Sequence, residues 1–264
     1  MEKFDKLISL VLKEVGSDIK TIVRFGSKIG LEHPRFGDID LIIVSRSKKS
    51  ISKVMKTFRR HESEVFGKSH SAKSDFIQRN FFGATDLTGL HLIIFSEDEF
   101  DARFNLKSLR LKIFTSILTS KELFLFNLKR NYEVIYGHDL VSKLKIGDLS
   151  LVDRILTFPL SYFILLVLPV LCHDRNSFRI WCFKAIKYSV DNIVSYTEFK
   201  TGKKINPLLL DYDMAIYDLC KKYRYEPHKY HGSLFTLYFK CWLNLLKNTS
   251  FILRGVQLRD QTYI

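Results

Sequence analysis

Residues 25–44 read Phe-Gly-Ser-Lys-Ile-Gly-Leu-Glu-His-Pro-Arg-Phe-Gly-Asp-Ile-Asp-Leu-Ile-Ile-Val. The stretch holds a Gly-Ser pair at Gly26 and Ser27, ten intervening residues, and then Asp38, Ile39 and Asp40 opening an apolar run. Along an extended strand, residues two apart share a face, so Asp38 and Asp40 present their carboxylates to one side while Ile39 and Leu41 face the other. Two such carboxylates repel unless a cation lies between them, and hard oxygen donors at this spacing suit Mg²⁺, which also binds phosphates. The preceding run Thr21-Ile22-Val23-Arg24-Phe25 reads as a strand that stops at Gly26. A glycine there lets backbone approach a phosphate, and Ser27 can donate to it through its hydroxyl and amide.

In order and spacing this segment resembles the signature of the nucleotidyltransferase superfamily typified by DNA polymerase β: Gly-Ser, a spacer of this length, and Asp-X-Asp. The resemblance implies transfer of a nucleoside monophosphate from a nucleoside triphosphate, ATP being the expected one, to an acceptor hydroxyl. It also implies Asp38 and Asp40 as catalytic metal ligands for Mg²⁺, with Gly26 and Ser27 holding the triphosphate. The family's third carboxylate comes from a later strand. Here that strand is Thr88–Phe95, and His91 stands where the acid would be. An imidazole there could ligate, which would admit Mn²⁺ as the metal, or it could simply close the sheet end. Asp75, Asp86 and a carboxylate from the second half of the chain are the alternative third acids.

Periodicity extends the reading in both directions. Phe4, Leu7, Ile8, Val11 and Val15 recur at helical spacing before Gly16, giving a helix over 2–15. Strands at 20–25 and 39–45, a helix at 51–61, a variable segment at 62–86 and a strand at 88–95 complete an α/β unit. Ser96 and Glu99 have capping-box spacing, and 97–130 reads as helical with Arg103, Lys107 and Arg110 on one side. Asn131–Leu140 reads as a short strand ending in a glycine turn at Gly137. It is similar to the strand that closes nucleotidyltransferase domains of the aminoglycoside-modifying kind. Beyond about residue 150 the pattern is helical, over 177–200, 208–224 and 233–248. The expected fold is therefore α+β: a nucleotidyltransferase domain with a mixed sheet over 1–148, then an all-helical acceptor-binding or interaction domain over 149–264. This arrangement is that of the kanamycin nucleotidyltransferase type and of minimal nucleotidyltransferases. By that resemblance the helical half supplies the acceptor site together with a carboxylate and a lysine, for which Lys187 with Asp191, or Lys184 with Asp153, are candidates. On an amphipathic helix the same residues are ordinary surface charges.

The net charge of +14 is spread evenly, +7 on residues 1–150 and +7 on 151–264. Such a surplus favours an anionic partner, RNA among them. It is densest at Arg46, Lys48, Lys49, Lys53, Lys56, Arg59 and Arg60, which suit a solvated helix face or a nucleic-acid track. The aromatic-rich run with Tyr223, Tyr225, His228, Tyr230 and His231 suits packing, with base stacking the alternative. Cys172, Cys182, Cys220 and Cys241 lack metal-ligand spacing and read as core thiols of a protein in the reducing cytoplasm. Residues 155–172 carry no charge over eighteen positions. With Pro159 and Pro169 near its ends, this stretch is expected as a kinked buried helix, central to the second domain or to a homodimer, rather than as a membrane span. Two other functional classes remain open beside the transferase. One is a catalytically weakened nucleotide-binding member of a toxin-antitoxin-like pair, and the other is a nucleic-acid-binding scaffold.

Overall fold

The computed structural model describes residues 2–26, 39–66, 90–99, 120–156, 159–172, 174–205, 214–223 and 226–254. The chain forms two compact units, Met1–Leu109 with Asn127–Ile146 and Arg110–Phe126 with Gly147–Ile264. The fold is α+β: a mixed four-stranded sheet in the first unit, helices in the second.

In the first unit, α1 (Glu2–Val15) is followed by β1 (Ile19–Phe25), β2 (Ile39–Ser45), α2 (Ser50–Phe66), β3 (Leu90–Ser96), the end of α3 (Lys121–Arg130) and β4 (Tyr132–Gly137). The strand order is β3-β2-β1-β4. β1 pairs antiparallel with both β2 and β4, and β2 pairs parallel with β3. β2 is buried on both faces from Leu41 to Ser45. That explains its continuous apolar run, since alternation appears only where one face meets water. Leu41 and Ile43 join Ile19, Ile22 and Ile94 under α1 and α2, where Leu7, Val11, Val54 and Phe58 are buried. Each such side chain contributes roughly 1.5–3 kcal/mol.

α2 runs five residues beyond the expected end at 61, into the segment read as variable. Val65 and Phe66 pack against the core, and Arg59 pairs with Glu62 at 2.8 Å, so the last turn has both apolar and ionic support. The Ser96 N–H donates to Glu99 at 3.2 Å across a 3₁₀ turn, Glu97–Glu99, beyond which residues 100–119 lie outside the described residues. Arg103, Lys107 and Arg110 lie outside the described residues.

β4 closes the sheet through one glycine. Gly137 has φ +81°, and a Cβ built on it would lie 2.0 Å from the Lys20 carbonyl oxygen. Thr21 Oγ1 lies 2.8 Å from the carbonyl oxygens of both Tyr136 and His138, locking the turn to β1. Asp139 then accepts from the Tyr132 hydroxyl at 2.8 Å and from the Ser142 N–H at 3.0 Å. Burial disfavours its charge, but these donors outweigh burial and hold the carboxyl below its ordinary value of 3.8. A folded value lower than the unfolded one gives stability that is complete above the unfolded value and lost as pH falls through the folded one. Asp139→Asn is therefore expected to flatten the loss of stability below about pH 4, read from urea midpoints across that range. An unchanged acid limb would mean that Asp139 carries none of the linkage.

The second unit contains α4 (Leu151–Leu156), α5 (Pro159–Leu166), α6 (Leu168–Leu171), α7 (Arg175–Thr201), α8 (Met214–Tyr223) and α9 (Leu234–Arg254). The apolar stretch 155–172 is thus not one buried helix, which corrects the sequence expectation. Pro159 opens α5 and Pro169 lies in the first turn of α6, because proline lacks the N–H that a continuing helix needs. Ile164, Leu165 and Leu168 are buried, whereas Leu166 is 43% and Val170 70% exposed, so the segment is amphipathic. Among the described residues no helix is long and apolar enough to cross a membrane.

α7 is the centre of this unit. Asp174 caps its start by accepting from the N–H groups of Asn176 and Ser177 at 2.9 and 2.8 Å, and Gly202 ends it at φ +66°. α9 packs along it through a buried polar contact, Asn248 Nδ2 donating to Ser189 Oγ at 2.6 Å. Cys182, Cys220 and Cys241 are buried free thiols here and Cys172 is half-buried. Burial pushes the Cys241 thiol well up, so it stays protonated. Tyr223 and Tyr230 lie edge to face at 5.5 Å and both pack on the buried Phe183, which accounts for them as packing. Tyr225 lies outside the described residues.

Candidate functional site

The sheet register brings Gly26 and Asp40, one residue from each half of the Gly-Ser…Asp-X-Asp segment, together. β1 ends where β2 begins, Phe25 pairing with Asp40, so the glycine that follows Phe25 lies beside the second aspartate. Gly26 has φ +105°, and a Cβ on it would stand 2.9 Å from Asp40 Oδ2. Only glycine satisfies both conditions without displacing the carboxylate. Alternation along β2 sends Asp40 to the face opposite Leu41 and Ile43, away from α1 and α2. Asp40 is half-buried, at a strand end rather than in the core.

β3 adds His91 at the same level, its Cα the register partner of Asp40. Gly26, Asp40 and His91 therefore occupy neighbouring backbone positions on three adjacent strand ends. Ser27 and Asp38 lie outside the described residues, as do Asp75 and Asp86.

One residue here was not singled out from the sequence. Asn131, just ahead of β4, holds Gly26 from both sides: its side-chain amide donates to the Gly26 carbonyl, and the Asn131 backbone carbonyl accepts from the Gly26 N–H at 3.3 Å. This fixes the peptide groups around the positive-φ residue. No local spacing announces it, because the partners are 105 residues apart. An asparagine preceding a strand is the only hint the chain offers.

The candidates from the helical half form local pairs. Lys187 and Asp191 bond to each other one turn apart on α7. Asp153 accepts from the Ser150 N–H at 2.7 Å while its own N–H donates to Ser150 Oγ at 3.1 Å, a reciprocal cap at the start of α4. Lys184 lies over the Trp181 ring at 4.6 Å. Each arrangement gives the residue a structural partner within its own unit.

Among the described residues no group of three or more His, Cys, Asp and Glu side chains converges on a point. Asp40 offers a carboxylate beside a position kept clear of any Cβ, and oxygen is the ligand type Mg²⁺ takes.

No protein-family model matches the chain, and no curated protein matches it. Among solved structures the chain is similar to a spectinomycin adenyltransferase from Enterococcus faecialis, crystallised with ATP and spectinomycin. The identity is 13%, 96% of this chain and 97% of that chain are covered, and the TM-score is 0.45.

Proposed function

We propose that this protein is a nucleotidyltransferase, moving a nucleoside monophosphate from a nucleoside triphosphate to an acceptor hydroxyl. The observation that supports it most is the fit of Gly26 against Asp40. The Gly-Ser turn and the Asp-X-Asp strand are read from sequence as one phosphate-and-metal site, and the β1–β2 register makes one residue of each, Gly26 and Asp40, adjacent.

In this reading the bare backbone at Gly26 admits the triphosphate and the Ser27 hydroxyl donates to a non-bridging phosphate oxygen. Asp38 and Asp40 would hold Mg²⁺, which when bound neutralises charge on the phosphates as pyrophosphate leaves. Asn131 keeps Gly26 in its positive-φ conformation. The domain assignment belongs to the same proposal: residues 1–148 carry the transfer site and 149–264 bind the acceptor. Lys187 as a nucleotide contact rests on the family resemblance.

Titration calorimetry with each triphosphate and Mg²⁺, followed by a radiolabelled transfer assay, tests the reading. Metal-dependent binding of one triphosphate is the expected result, and absence of binding for all four would leave only the scaffold class. Ser27→Ala should weaken triphosphate binding about ten- to a hundred-fold, the loss of one charge-assisted hydrogen bond. The free nucleoside should bind nearly unchanged, and equal losses for both ligands would point to misfolding instead. His91→Asp places a carboxylate at the register position of Asp40 and should raise Mg²⁺-dependent turnover. A fall in turnover would remove residue 91 from the third-acid position and direct attention to Asp75, Asp86 or the helical half.

A further inference from the structure

The densest basic segment lies away from the proposed transfer site. Residues 46–60 hold seven Lys or Arg and no Asp or Glu. Lys49, Lys53, Lys56 and Arg60 recur at intervals of four, three and four, which sets them on one stripe of α2 and the turn leading into it. At 1.5 Å per residue the stripe is about 16 Å long. It lines an open groove of about 670 Å³, together with Ser52, Thr57 and Glu14 of α1.

Within the groove some cations are anchored and others are not. Lys53 pairs with Asp18 at 2.7 Å, and Arg60 pairs with Glu14. Glu14 also accepts from Thr57 at 3.1 Å. Hydrogen bonds from His61 to Glu14, and from Lys53 and Ser50 to Asp18, hold both acids below their ordinary values, so both stay ionised and keep their partners in place. Lys49 and Lys56 make no ion pair or hydrogen bond among the described residues and are exposed. α2 packs on the sheet face that carries Leu41 and Ile43, whereas Asp40 faces the other way, so the groove is a separate surface.

We infer that this groove between α1 and α2 binds the phosphate chain of a single-stranded nucleic acid. A row of cations about three turns long matches a linear polyanion better than a single phosphate. Among the described residues no aromatic side chain lines the groove, so they offer no platform for stacking bases, and recognition falls on the backbone. Among the described residues the groove lining also lacks the apolar flank by which a basic helix inserts into a lipid surface. Inorganic polyphosphate shares the recognised chemistry and is the other source to distinguish.

The test is fluorescence anisotropy of the full-length protein with a labelled single-stranded oligouridylate, at several salt concentrations. Two phosphate contacts, from Lys49 and Lys56, predict a slope of log affinity against log salt of about −1.4, each contact contributing about −0.7. Lys49→Gln with Lys56→Gln should abolish that slope and weaken binding about 25-fold near 0.1 M salt. Its melting temperature should stay unchanged, because both side chains are exposed. Lys221→Gln with Lys222→Gln on α8 removes the same charge elsewhere and should leave binding at the wild-type level. Equal weakening by the two double variants would reduce the effect to net charge and overturn the site. So would unchanged binding in the groove variant. Tighter binding of polyphosphate than of an oligonucleotide of equal charge would overturn the nucleic-acid assignment. Groove-dependent sedimentation with phosphatidylserine vesicles, in the absence of oligonucleotide binding, would assign the surface to lipid.

Discussion

Asp40→Asn is expected to lower nucleotide transfer by about a thousand-fold or more while leaving the melting temperature within a degree or two. The substitution keeps the shape of the side chain and removes one negative oxygen ligand. Loss of about 4 kcal/mol of transition-state stabilisation corresponds to that factor. The structure supplies the reason for expecting little cost in stability. Asp40 is half-buried at the start of β2, and the contact that excludes a Cβ at Gly26 is one an amide can make as well as a carboxylate. Activity assays with thermal melts of Asp38→Asn and Asp40→Asn measure both quantities. Full activity in both variants would remove the metal-ligand assignment, and a large fall in melting temperature would turn Asp40 into a structural residue.

Gly137→Ala should be the most destabilising single-methyl change among the glycines described. Its φ of +81° alone costs an alanine about 1–2 kcal/mol. The added Cβ would also meet the Lys20 carbonyl oxygen at 2.0 Å and the Thr21 Cα at 3.1 Å. Both are backbone atoms of β1, so the strain can be relieved only by parting β1 from β4. A total near 4 kcal/mol, or a fall in melting temperature of roughly 10 °C, follows. Gly202→Ala is the control: it also has positive φ, at +66°, but a Cβ there would meet nothing within 4 Å, so only the conformational cost applies. If the two alanine variants melt at the same temperature, the β1–β4 contact does not decide the role of Gly137.

The helical reading of the basic segment shows how a pattern can be legible while its consequence is not. Its spacing set four cations on one stripe, but whether they face solvent or a partner depended on α1. Glu14 and Asp18 neutralise two of them, and both belong to a part of the chain about thirty to forty-five residues away.

Elements with a repeating apolar pattern were determined by the sequence itself. α1 ended at Val15 ahead of Gly16, and β2 ran over the expected 39–45, because burial periodicity and a glycine stop are local properties of the chain. Local chemistry also carried the glycine turn at the end of β4. It failed at 155–172, where apolar composition was read as one helix and the two prolines divided it into separate elements. Tertiary structure alone decided the rest of the site. It set the strand order β3-β2-β1-β4, placed Asp40 against Gly26 and level with His91, and used Asn131 to hold Gly26. The pairing of Lys187 with Asp191 and of Asp153 with Ser150 is local, over three or four residues. The physical reason is the range of the forces involved. Periodicity and capping act over three or four residues, whereas register, close approach at a missing Cβ and side-chain pairing depend on which distant segments the core brings into contact.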